Sequence, residues 1–81
     1  MKTMKPAVGS QIPISDLPLA SYLLASGYGL IGLRGDGLRL EFVFEAPKEA
    51  ILGFYRGEDL VSARALLDAQ RNLLGLAKQK R

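Results

Sequence analysis

Neither cysteine nor histidine occurs in this 81-residue chain. That removes the side chains that most often attack, shuttle protons or hold transition metals near neutral pH. Disulfides, thiolate zinc sites and the common nucleophile–base pairs go with them. What remains for acid–base or metal chemistry is a handful of carboxylates. Glu41 and Glu45 fall on one face of an expected strand, and paired carboxylates are the signature of glycosidases. Four residues of strand set them about 13 Å apart, beyond the roughly 5–9.5 Å that either glycosidase geometry uses. They read instead as solvated or ion-paired strand residues. Glu58 and Asp59 could touch a divalent ion, but two neighbouring acids do not make a site. A Ser–Lys pairing is formally open, with no context that favours one. The inventory predicts no catalysis, no cofactor, no metal and no small-molecule substrate.

Two glycine patterns suggest ligands and fail on context. Gly27-Tyr28-Gly29-Leu30-Ile31-Gly32 carries the letters of a dinucleotide-binding loop. That loop needs a strand before it and a helix after it, so that the helix N-terminus meets the pyrophosphate. Here a helix is expected before it and a strand after. Gly32-Leu33-Arg34-Gly35 has the letters of a KH-type clamp, which joins two helices, yet this stretch runs along a strand into a turn. Arg34-Gly35-Asp36, an integrin-type tripeptide, belongs to the same turn.

The remaining candidate is electrostatic. Lys78, Lys80 and Arg81 end the chain, and Arg64, Arg71 and Lys78 recur every seven residues, which lines them up along one helix. Asp68 interrupts the line and can pair with either arginine. These residues are the phosphate-contact candidates; a solvated helix face is the plainer account. The net charge is +3, but setting aside Lys2, Lys5, Lys78, Lys80 and Arg81 leaves six basic residues against eight acidic ones. The basic character therefore lives at the two ends, whereas a face built for nucleic acid should itself be basic.

An 81-residue chain holds one domain, and 48% apolar residues is high for so small a body. Part of that apolar surface is expected to be covered by another chain, which predicts self-association. The longest uncharged run, Leu17 to Leu33, is 17 residues long but is interrupted by Pro18, Ser21, Ser26, Gly27, Gly29 and Gly32. A buried helix followed by a buried strand accounts for it better than a membrane span. No export signal is evident, and with no cysteine the expected location is the cytoplasm.

In chain order, residues 1–14 form an arm in which Gln11–Ile14 can extend as a third strand. Ser15-Asp16-Leu17-Pro18 is a helix start, with a capping side chain and a proline where its missing N–H does no harm. That helix runs to about Ser26 and stops at Gly27, with one broad face of Leu17, Leu19, Ala20, Leu23 and Leu24 buried. Tyr28 to Glu45 reads as a hairpin turning at Asp36-Gly37, or at Gly35-Asp36, both of which keep the same faces. The Asp36-Gly37 turn sets Leu33 against Leu40, Ile31 against Phe42 and Gly29 against Phe44 on the core face. Arg34 then faces Arg39, Leu30 faces Val43 and Tyr28 faces Glu45 on the other. Pro47 opens a short helix carrying Ile51, Phe54 and Tyr55, with Gly57 as its stop. A last helix begins near Ser62, or one turn earlier at Asp59. It buries Leu66, Leu67, Leu73, Leu74 and Ala77, with Gln70 inside the stripe, and frays from Gln79 because Gly75 weakens its last turns.

Asp16-Leu17-x-Leu19-Ala20-x-Tyr22-Leu23-Leu24, Gly27, Phe42-x-Phe44-Glu45, Tyr55-x-Gly57 and Val61-x-Ala63 through Arg71 together resemble a family of small bacterial and phage proteins catalogued as a domain of unknown function. The likeness covers Ser15 to Ala77. It implies the same layout and, from the phage and mobile-element setting of such proteins, an accessory to a larger machine. The fold expected is α+β: helix, antiparallel hairpin, short helix, longer helix, with a domain over 15–77 and a basic end at 78–81. The function expected is a non-catalytic protein-interaction module, itself a homo-oligomer, using Leu30 and Val43 on the outer sheet face, Ile12 and Ile14 on the arm, and Gln70. The alternative is a nucleic-acid accessory contacting phosphates through Arg64, Arg71, Lys78, Lys80 and Arg81.

Overall fold

The arm does add a strand. In a computed structural model, which describes residues 11–58 and 60–80, the elements run β1 (Gln11–Ile14), α1 (Leu17–Ala25), β2 (Gly29–Arg34), β3 (Glu41–Glu45), α2 (Lys48–Arg56) and α3 (Ala63–Lys80). The fold is α+β. The sheet is antiparallel with order β1-β3-β2, so β3 lies in the middle and β1 belongs to the domain.

Each helix starts and ends for an identifiable reason. The Asp16 carbonyl accepts the Ala20 N–H at 2.9 Å to open α1, with Pro18 in its first turn, but the Asp16 side chain makes no cap bond. Gly27 (φ +97°) ends α1, and Gly57 (φ +71°) ends α2. Both glycines take the left-handed conformation that lets the following N–H reach back to a carbonyl of the last turn. Tyr28 N–H thus meets the Leu23 carbonyl, and Glu58 N–H meets that of Gly53. Ser62 caps α3 by accepting the Ala65 N–H on Oγ at 3.0 Å. This helix continues through Lys80, beyond the expected fraying point.

The hairpin departs from the expected register. Arg34 pairs with Glu41, Leu33 with Phe42 and Gly32 with Val43; a bulge at Ile31 then shifts the ladder, so that Leu30 pairs with Phe44 and Gly29 with Glu45. The connection is longer than two residues: it passes through Gly35 in the left-handed region (φ +79°) and a 3-10 turn over Gly37–Arg39. The expected register set Arg34 opposite Arg39, two like charges. The observed one sets Arg34 opposite Glu41, with Nη2 and Nε 3.0 and 3.2 Å from the same Oε1. An exposed pair of this kind is worth little in stability, but a like-charged pair in its place would be unfavourable.

One sheet face carries the core. Phe42 and Phe44 are buried there with Ile14 of β1, Leu19, Ala20, Tyr22 and Leu23 of α1, Ala46, Ala50 of α2, and Leu73 of α3. The most extensive helix–helix contact is α1 against α3. Helix α1 is accordingly buried further round than the one face expected, Ser21 and Tyr22 included. Tyr22 packs on Phe54 of α2 with ring centroids 5.3 Å apart. Tyr55, expected on the buried side of α2, is exposed; Ala50 and Gly53 are buried in that helix. No helix among the described residues is long and apolar enough to cross a membrane.

Candidate interaction surface on the last helix

The core accounts for part of the expected interface. Leu30 shares the face of Phe44 and packs on the core, because the bulge at Ile31 turns the strand over between Leu30 and Gly32. Ile14 is buried in the core and Ile12, opposite Phe44, packs against it. Ile14 is thus taken up by the core, and Leu30 and Ile12 are partly so. Val43 does lie on the opposite sheet face, half-buried, across from Pro13 and Gly32. The bulge sends Ile31, expected in the core, out to 48% exposure.

On α3 the buried stripe is rotated from its expected line. Ala69 and Leu73 are buried, with Leu66, Leu76 and Ala77 partly so, while Leu67 and Leu74 are 57% and 48% exposed. At 3.6 residues per turn, Leu67 and Leu74 lie within about 20° of each other, and Lys78, Arg71 and Arg64 occupy roughly the next 60°. All three cations are exposed and none forms an ion pair among the described residues, Asp68 included. Two leucines and three uncompensated cations therefore share one solvent-facing strip. Gln70 is half-buried at its edge. Arg81 lies outside the described residues, and of Lys80 only the backbone is described.

The strip is dimpled rather than flat. One shallow depression is lined by Leu67, Gln70, Arg71 and Leu74, and the next by Arg71, Leu74, Gly75, Ala77 and Lys78. The second owes its floor to Gly75, which sits exposed in the helix interior. A Cβ built there meets nothing within 4 Å. Glycine in a helix interior costs about 1 kcal/mol relative to alanine, and no packing within the domain requires it here. The sequence signal for this surface was the shared seven-residue spacing of Leu67/Leu74 and Arg64/Arg71/Lys78, leucines in step with cations; reading Leu67 and Leu74 as core hid it.

The other motifs resolve into structure. The Gly27–Gly32 run leads from α1 into β2, with no helix N-terminus after it, and Gly32–Gly35 lies on β2 and its turn. Glu41 is engaged by Arg34, and Glu58 lies 3.9 Å from Arg56; Asp59 is outside the described residues. No three acidic, histidine or cysteine side chains gather as a metal site among the described residues. Comparison with family models, with curated proteins and with solved structures finds no match.

Proposed function

We propose that this chain is a small non-catalytic interaction module that binds another protein through the outward strip of α3. The observation that carries the reading is the pairing of Leu67 and Leu74, both about half exposed or more, with Arg64, Arg71 and Lys78 on the same face, none of them in an ion pair among the described residues. Exposed apolar side chains rimmed by polar ones mark contact surfaces. The likeness to small phage-associated proteins fits an accessory role of this kind. Ser15 to Ala77 carries that likeness, and α3 spans about its last quarter.

The free cations also favour a second reading, contact with nucleic-acid phosphates. The two differ in what they ask of the leucines, for which a phosphate backbone offers no apolar partner. Capture from the native host with and without nuclease, repeated with Leu67→Ser/Leu74→Ser and with Arg64→Ala/Arg71→Ala, separates them. Protein binding predicts nuclease-resistant capture that disappears in both variants. Phosphate binding predicts nuclease-sensitive capture that survives the leucine changes. Its log affinity–log salt slope should become shallower in the arginine variant, by roughly 0.7–0.9 for each phosphate left unneutralised.

A further inference from the structure

We propose that the occupant of the α3 strip is an acidic amphipathic helix, seated with two consecutive knobs in the two depressions; this rests on the reading of α3 as a protein-binding face. The lining residues carry the argument. Leu67, Gln70, Arg71 and Leu74 stand at i, i+3, i+4 and i+7 of the helix, and so do Arg71, Leu74, Gly75 and Lys78. Four side chains at that spacing form the hole that receives one knob of a facing helix. The two holes are offset by four residues, about 6 Å along the axis. A partner helix with apolar side chains one turn apart fills both. An extended strand repeats its side chains on one face about every 7 Å but lies too flat to fill successive helical holes.

Charge decides the chemistry of that helix. Arg64, Arg71 and Lys78 run along one flank of the holes, and no acid among the described residues engages any of them. A second copy of α3 laid antiparallel sets Arg71 against its own counterpart and Arg64 against the copy's Lys78. That is a row of like charges at short range, and Asp68 lies further round the helix. A partner with glutamate or aspartate beside its knobs meets all three cations instead. Gly75 completes the fit, since its missing side chain leaves the second hole open. The leucines supply the buried area and the cations select the sign of the partner.

The test uses the intact chain and a synthetic, end-capped helical peptide of about 18 residues with leucines four apart and glutamates flanking them. Its counterpart carries lysines in place of the glutamates. Amide chemical-shift mapping should confine the response to α3 and show the glutamate peptide binding at least about tenfold tighter than the lysine one. Arg71→Glu/Lys78→Glu should reverse that preference, and Gly75→Leu should weaken the glutamate peptide by about tenfold with the circular dichroism unchanged. Equal binding of both peptides, or no response on α3, overturns the proposal. Two other outcomes overturn it and separate it from the reading beneath it. If Leu67→Ser/Leu74→Ser dissociates an oligomer of the free chain, the occupant is a second copy and the interaction reading stands. If a short DNA duplex binds α3 with the salt dependence of phosphate contact and neither peptide does, both fall.

Discussion

Gly35 is the residue at which the backbone leaves least choice. Its φ of +79° lies in the region closed to most side chains, and a Cβ there would run into the Arg39 carbonyl oxygen. Gly35→Ala should therefore destabilise the domain by about 1–3 kcal/mol. Gly37 opens the 3-10 turn over Gly37–Arg39, and Gly37→Ala should shift the melting temperature by no more than about 2–4 °C (roughly 0.5 kcal/mol). A reversed order of the two melting temperatures would mean that the turn is built at Asp36-Gly37 after all. Ser21 offers the opposite case. Its hydroxyl is buried with no hydrogen-bond partner among the described residues. Exchanging it for a hydrogen should remove an uncompensated desolvation. Ser21→Ala should thus hold or raise stability in urea unfolding, and a loss above about 1 kcal/mol would reveal a hidden partner for the hydroxyl.

At the scale of the element, the hairpin shows what was legible and why the rest was not. Strand identity followed from alternation, and the helix stops from Gly27 and Gly57, because local backbone preference decides both. Register did not, since periodicity fixes a face only while the ladder is regular. One extra residue at Ile31 exchanges the faces of Leu30 and Ile31 without changing the pattern of letters. The charges held part of the missing information: a turn at Asp36-Gly37 sets Arg34 against Arg39, whereas the observed register sets Arg34 beside Glu41. Helix α3 repeats the lesson. Its leucines outnumber the positions that α1 and the sheet can cover, and which of them turn outward depends on packing against α1, a contact remote in sequence. Two substitutions test this element. Ser62→Ala should cost about 1 kcal/mol through loss of the bond to Ala65 N–H, read as a lowered urea midpoint. Gly75→Ala should raise stability by up to about 1 kcal/mol while weakening whatever occupies the strip. A Gly75→Ala variant that melts lower would show that the domain itself uses the space.

The whole molecule exposes more apolar surface than its core explains. Leu38, Leu52, Tyr55, Leu60, Leu67 and Leu74 are all 45% exposed or more, as is Ile31 on the uncovered sheet face. An excess of this kind is what the composition anticipated, though not where it would fall: the α+β layout was readable in the sequence, whereas the site had to wait for the rotation of α3. Self-association is expected from the same excess, through surfaces other than the cationic strip. Val43 is the half-buried centre of the open sheet face, flanked by Pro13 and Gly32. Light scattering at micromolar concentration should show at least a dimer, and Val43→Glu should shift it toward monomer without altering peptide binding on α3. A monomer at high concentration in the unmodified chain would restrict the exposed leucines to partners of other sequence.

The central place of β3 bears on the order in which the chain acquires its structure. Leu33 and Phe42 meet across nine residues, whereas Ile14 reaches the same Phe42 across 28. Closing the longer loop carries an extra entropic penalty of about 1 kcal/mol, so β2 and β3 pair early and β1 docks onto an edge that already exists. Rates should divide accordingly. Ile14→Val should accelerate unfolding and leave the folding rate nearly unchanged, while Leu33→Ala should slow folding in proportion to the stability it removes. Equal effects on both chevron arms for Ile14→Val would place the N-terminal strand in the nucleus.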